Sequence, residues 1–132
     1  MREELKKLLA KSYSPYSKYP VAAIVVTNDE YMFKGVNVEN ASYGATICAE
    51  RNAINSAITK GYRKGDFKAL YVMVDGDDVA FPCFICRQTL AEFFTGDELL
   101  VISNDTRSKT YKISEILTHP FSSEDLKWSQ GL

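Results

Sequence analysis

Thr46-Ile47-Cys48-Ala49-Glu50-Arg51 and Phe81-Pro82-Cys83-Phe84-Ile85-Cys86-Arg87-Gln88 together hold every cysteine of the 132-residue chain, with a carboxylate two residues after the first thiol. The single histidine, His119, stands far from both stretches, before Pro120, and reads as a surface or interface residue. If the chain builds a zinc site, Cys48, Cys83 and Cys86 must build it. A catalytic Zn2+ takes three protein ligands and leaves a fourth position for water, whose pKa it lowers to about 7. A nearby carboxylate must then collect the proton, and Glu50 is close enough to do so without being a ligand. Taken singly, Cys48 reads as a small buried hydrophobe. Cys83 and Cys86 alone read equally as a redox pair or as half of a structural zinc site.

In combination, C-A-E followed by P-C-x-x-C matches the signature of zinc-dependent deaminases, in which three side chains hold the metal and a glutamate moves protons. Working outward, Cys48 opens a helix that runs to about Lys60, with Ala49, Ala53, Ile54, Ala57 and Ile58 as its apolar face and Gly61 as its stop. A helix N-terminus stabilises thiolate and carboxylate alike. Three thiolates against Zn2+ leave the centre formally at minus one, which weakens the pull on bound water. Arg51 is placed to offset that charge; the plainer alternative is a surface ion pair.

Upstream, Val21 to Thr27 reads as a buried strand and Tyr31 to Val38 as its hairpin partner. In Gly35-Val36-Asn37-Val38-Glu39-Asn40, the side chains of Asn37 and Glu39 are two apart and point the same way on an extended chain. Such a pair can grip the hydroxyls of a sugar, although a polar loop is the commoner explanation. Before it, Tyr13-Ser14-Pro15-Tyr16-Ser17-Lys18-Tyr19-Pro20 carries three tyrosines among turn formers: a loop pinned by aromatic packing, or one wall of a pocket for a flat ring. Leu5, Leu8 and Leu9 give Arg2 to about Ser12 an amphipathic helical pattern.

Downstream, Lys68 to Val74 reads as a central strand, Cys83 to Phe94 as a second ligand-bearing helix packed through Leu90, Phe93 and Phe94, and Leu99 to Ser103 as another strand. Thr110 to Ile113 returns after a turn at Asn104 to Ser108, and Ser114 to Leu117 begins a brief helical turn. Both ligand-bearing helices start just after strands, the usual address of sites in layered α/β domains. No repeat or linker divides the chain, so residues 1–132 read as one domain.

Sixteen basic residues against seventeen acidic ones leave a net charge of -1, which gives no electrostatic reason to expect a nucleic-acid or membrane partner. The charged N-terminus lacks the apolar core of a signal peptide, and no stretch suits a bilayer span. The expectation is a cytoplasmic protein, in which three cysteines suit metal ligation better than a disulfide framework.

Over nearly its full length the chain resembles the homotetrameric cytidine deaminases. The resemblance is carried by Ser14-Pro15-Tyr16-Ser17-Lys18, Gly35-Val36-Asn37-Val38-Glu39-Asn40-Ala41-Ser42-Tyr43, Cys48-Ala49-Glu50-Arg51-Asn52-Ala53, Pro82-Cys83 with Cys86-Arg87-Gln88, and Phe121-Ser122-Ser123-Glu124-Asp125-Leu126. It implies a three-layer α/β/α sandwich around a five-stranded mixed sheet, and hydrolysis of cytidine or 2'-deoxycytidine to the uridine counterpart and ammonia, a step of pyrimidine salvage. It also implies Zn2+ on Cys48, Cys83 and Cys86, with Glu50 as proton shuttle and Arg51 hydrogen-bonded to ligand sulfurs. Asn37 and Glu39 then bind the ribose, the Ala49 N–H holds the ring O2, and the Phe81 carbonyl faces the amino group. Tyr19 packs at the substrate where phenylalanine is usual, and Phe121 stacks on the base from a neighbouring subunit.

The departures lie in Phe81-Pro82-Cys83-Phe84-Ile85-Cys86, where Ser-Pro-Cys-Gly-x-Cys is usual. Phe84 and Ile85 are expected either to narrow the site or to pack on an added subunit contact. Val21-Ala22-Ala23 replaces Val-Gly-Ala in a buried strand. Two rival readings remain open: a deaminase of another cytosine-bearing small molecule such as blasticidin S, and a non-catalytic module with a structural zinc. The second is short of ligands, since structural sites normally take four.

Overall fold

Val21–Thr27 is β1, and from Ala22 onward every residue of it is buried, as an unbroken Val/Ala/Ile/Thr run requires when both faces of a strand are covered. The computed structural model describes residues 1–126; the last six residues of the expected domain lie outside the described residues. β1 pairs antiparallel with β2 (Met32–Val36) on one side and with β3 (Phe67–Val74) on the other. β3 pairs parallel with β4 (Leu99–Ser103), and β4 antiparallel with β5 (Ser108–Lys112). The result is a mixed five-stranded sheet in the order β2-β1-β3-β4-β5.

Alternation along β1 sorts the core into two halves. Ala22, Ile24 and Val26, with Met73 of β3, pack against Leu5 and Leu8 of helix α1 (Arg2–Leu9). Ala23 and Val25, with Leu70, Val72, Leu100 and Ile102, pack against Ala53, Ile54 and Ala57 of α2 (Ala49–Lys60) and Leu90 of α3 (Phe84–Phe93). Helices therefore cover both faces of the sheet, the expected three-layer α/β/α arrangement.

Cys48 and Cys83 are the N-cap residues of α2 and α3, and Gly61 caps α2 in the left-handed region at φ 116°, its N–H donating to the Ala57 and Ile58 carbonyls. Helix α2 lies so close to β2 that a Cβ at Gly35 would sit 2.4 Å from the Ala49 carbonyl oxygen. The side-chain amide of Asn52 donates to the Val36 carbonyl at 2.8 Å and fastens the same contact.

Three elements differ from the sequence expectation for local reasons: β2 spans Met32–Val36 rather than Tyr31 to Val38, because Val38 bridges Tyr13 and Ile47 instead of β1. Helix α1 ends at Leu9 rather than near Ser12, because the Ser12 hydroxyl donates to the Asn37 side chain and the Tyr13 N–H to the Asn37 carbonyl, drawing the chain off the helix axis. β5 begins at Ser108 rather than Thr110: Asn104 Oδ1 accepts the Thr106 and Arg107 N–H groups and closes a tighter turn. Among the described residues, no helix is long and apolar enough to cross a membrane.

Candidate active site

Beyond β2 the chain continues as a single bridged residue, Val38, held by Tyr13 on one side and Ile47 on the other. The Val38 and Ile47 peptides exchange N–H to carbonyl bonds at 2.9 and 3.0 Å, and the Glu39 N–H donates to the Tyr13 carbonyl at 2.9 Å. This small extension of the sheet sets Asn37 and Glu39 beside the start of α2. Together with the end of β3 and the chain leading into α3, it encloses a cavity of about 270 Å3.

Seven of the expected residues line that cavity in addition to Cys83: Tyr19, Asn37, Glu39, Cys48, Ala49, Glu50 and Phe81. Ser17, Thr46, Val21, Val72, Val74 and Ala80 complete it, and the sequence reading had not singled them out as lining residues. Ser17 was visible within the Ser14 to Lys18 motif, but its role depends on a turn, with Lys18 at φ 59°, that composition does not reveal.

At the polar end, the Glu39 carboxylate accepts the Tyr16 and Ser17 N–H groups at 3.0 Å each and the Ser17 hydroxyl, and these bonds, that of the Ser17 side chain first, hold its pKa below the usual carboxylate range. Asn37 Oδ1 accepts from the Val21 N–H at 2.9 Å and from Ser12, while Nδ2 donates to the Tyr19 carbonyl at 2.9 Å. One amide hydrogen of Asn37 and about one lone pair of Glu39, on Oε2, stay available. A donor and an acceptor side by side match a hydroxyl, which can both accept and donate.

At the other end, the Sγ atoms of Cys48, Cys83 and Cys86 lie within 4.8 Å of one another, with Cys48 and Cys83 3.8 Å apart. Tetrahedral ligation with Zn–S bonds near 2.3 Å places ligand sulfurs about 3.8 Å apart, so the donor set fits zinc in both type and spacing. Hydrogen bonding from the Cys86 thiol, then from Arg51 and Cys83, draws the Cys48 thiol down to about 5, and Cys86 is pushed up by the same Cys48 bond and by burial. Arg51 reaches Cys48 Sγ at 3.8 Å and the Thr46 carbonyl at 3.3 Å through Nη2, and its buried Nε has no partner among the described residues. A guanidinium with an unspent donor beside the thiols suits an anionic metal centre. Arg51→Gln is expected to lower kcat about 10- to 100-fold at unchanged zinc stoichiometry. Paired rate and metal assays test this, and a fully active variant would reduce Arg51 to an ordinary surface charge.

Glu50 also lines the cavity; it is 5% exposed, and burial followed by the Cys48 charge raises its pKa to about 7. Tyr19 is pushed up by burial and then by the charge of Glu50.

Phe84 and Ile85 do not narrow the site. They are absent from the cavity lining, and Phe84 is 80% exposed on the outer side of α3. The reason is positional, since Cys83 caps the helix and Cys86 is buried, so the two residues between them turn to solvent. Phe121 is likewise outside this chain's own cavity. It is 55% exposed, and its carbonyl accepts from Gln88 Nε2 at 2.8 Å.

The profile of the cytidine and deoxycytidylate deaminase zinc-binding region matches residues 1–102. A cytidine deaminase of Sporosarcina psychrophila is 39% identical over 129 residues, covering 96% of this chain and 92% of that protein. A probable cytidine deaminase of Dictyostelium discoideum is 42% identical over 135 residues, 95% of this chain and 88% of that one. The crystal structure of cytidine deaminase from Burkholderia pseudomallei superposes with a TM-score of 0.85 at 39% identity, covering 90% of this chain and 94% of that one. With its three thiols gathered as the zinc-binding region requires, the chain belongs to the cytidine and deoxycytidylate deaminase zinc-binding family.

Proposed function

We propose that the chain is a single catalytic domain that hydrolyses cytidine and 2'-deoxycytidine to uridine and 2'-deoxyuridine with release of ammonia. The observation that carries this reading is one small cavity lined at once by the Cys48 and Cys83 thiols, the hydroxyl-matching Asn37–Glu39 pair and the buried carboxyl of Glu50. A non-catalytic zinc module gives Glu50 no purpose. A cavity of about 270 Å3 suits a base with its sugar, at the small end of ligand sites.

Asn37 and Glu39 hold the ribose, and the Ala49 N–H, at the start of α2, donates to the ring O2. The Phe81 carbonyl accepts from the exocyclic amine, and Tyr19 packs at the ring. Cys48, Cys83 and Cys86 would hold zinc, which when bound would supply a Lewis acid that lowers the pKa of water toward neutral pH. Glu50 takes a proton from the attacking water and delivers it to ring N3 as the C4–O bond forms. It then takes the remaining hydroxyl proton and gives it to the departing amine, so that C4–N4 breaks and ammonia leaves. Arg51 offsets the negative charge of the thiolates.

Phe121, exposed and outside its own chain's cavity, stacks on the base bound by a neighbour. The reading therefore includes a homotetramer, working in the cytoplasm on free nucleosides in pyrimidine salvage, with no nucleic-acid or membrane partner. The test follows the loss of ultraviolet absorbance on mixing the zinc-loaded protein with cytidine and deoxycytidine, with sedimentation for the assembly. Turnover of both nucleosides by a tetramer is expected; a zinc-loaded protein inert toward both would overturn the reading.

A further inference from the structure

Ala80, Phe81 and Cys83, in the connection from β3 to α3, form one wall of the cavity. That wall is gripped from outside the cavity by Arg87, one turn into α3. Arg87 Nε donates to the Pro82 carbonyl at 2.9 Å, and its guanidinium carbon lies 4.6 Å from the Phe84 ring centroid and 5.9 Å from that of Phe81. The Phe81 ring also packs against Tyr111 of β5, with centroids 5.1 Å apart.

The ring of Pro82 locks its own φ and restricts the residue before it. Pro82 thus already holds ψ of Phe81 in the extended range, and two torsions remain to aim the wall: ψ of Pro82, which directs Cys83, and φ of Phe81, which swings the Phe81 carbonyl. The Arg87 hydrogen bond restrains the first, and the docking of the Phe81 ring on Arg87 and Tyr111 restrains the second. Arg87 does not line the cavity, so any influence it has on the reaction passes through these neighbours.

We propose that Arg87 is a positioning residue that aims the Phe81 carbonyl at the substrate's amino group, with Phe84 holding the guanidinium in place. The inference rests on the reading of that carbonyl as the acceptor for the amine. An oxygen so placed attracts the N–H of cytosine and repels the O4 of uracil, so its aim sets how well the protein distinguishes substrate from product. Lysine keeps the charge but has neither the planar face nor the Nε donor.

The experiment compares the wild type with Arg87→Lys, Phe84→Ala and Phe84→Tyr. It measures zinc content, kcat and KM for cytidine, and the competitive inhibition constant of uridine. Arg87→Lys is expected to keep its zinc and to lower the ratio of the uridine constant to the cytidine KM about three- to tenfold, the effect of one misplaced hydrogen bond. Phe84→Ala should move the ratio the same way by roughly two- to fivefold, and Phe84→Tyr, which keeps the aromatic face, should not. Because Phe84 is exposed, its variants keep the test decisive even if the lysine variant fails to fold. An unchanged ratio in Phe84→Ala and Arg87→Lys beside an active wild type overturns the inference alone. Zinc lost in proportion to activity also overturns it, by making Arg87 a guard of Cys83. A zinc-loaded wild type inert on cytidine removes instead the reading on which the inference rests.

Discussion

Replacing Glu50 with glutamine will leave a folded, zinc-loaded protein whose kcat for cytidine is lower by about 10²- to 10⁴-fold, the usual worth of a positioned acid–base group. Glutamine preserves the shape of the side chain and its place in the first turn of α2, but it cannot accept a proton from water or return one to N3 and the amine. The fold should tolerate the change, because Glu50 is buried and burial already opposes its charge. KM should change little, since the sugar is held by Asn37 and Glu39 at the other end of the cavity. Steady-state kinetics beside a metal assay decide the matter. A kcat within threefold of wild type at full zinc would take the proton-transfer role away from Glu50.

The second large effect lies outside the cavity. Gly35→Ala should destabilise the fold by about 1–3 kcal/mol and weaken zinc binding with it. The added methyl would stand 2.4 Å from the Ala49 carbonyl oxygen and 2.5 Å from the Ala53 nitrogen. Both are backbone atoms of α2, so no side chain can rotate away. The helix must move, and its first turn carries Cys48, the Ala49 N–H and Glu50. Urea unfolding and competition with a metal chelator would measure the two losses. A variant with wild-type unfolding midpoint and zinc affinity would mean that α2 has room to slide over β2.

The parts of the molecule written in local chemistry could be read directly. The run Val21 to Thr27 gave a buried strand at its observed bounds, because a strand covered on both faces takes many adjacent Val, Ala and Ile residues. The three thiols were legible because the chain holds no others. What was not legible depends on contacts between distant segments. The turn through Lys18 brings two N–H groups and a hydroxyl to Glu39, and nothing near Glu39 in the sequence announces them. Phe84 and Ile85, between two ligands, suggested either a narrowed pocket or an added subunit contact, and the helical phase set by Cys83 and Cys86, which turns them outward, excludes the first. Asn104 shortened a turn through its own side chain, an economy that composition alone does not predict.

The order β2-β1-β3 gives the thiol cluster a further meaning. Cys48 follows β2 and Cys83 follows β3, and these strands never touch, for β1 lies between them. The separation of the two sulfurs is therefore inherited from two strand pairings in series. A slip of one residue in either pairing displaces one helix start by about 3.3 Å along the strand, more than the length of a zinc–sulfur bond. A misaligned chain cannot gather its three thiols, so metal capture stabilises only the correctly aligned sheet. Zinc uptake during folding is in this sense a proofreading step, which accepts one alignment of the sheet and withholds its stabilisation from the rest.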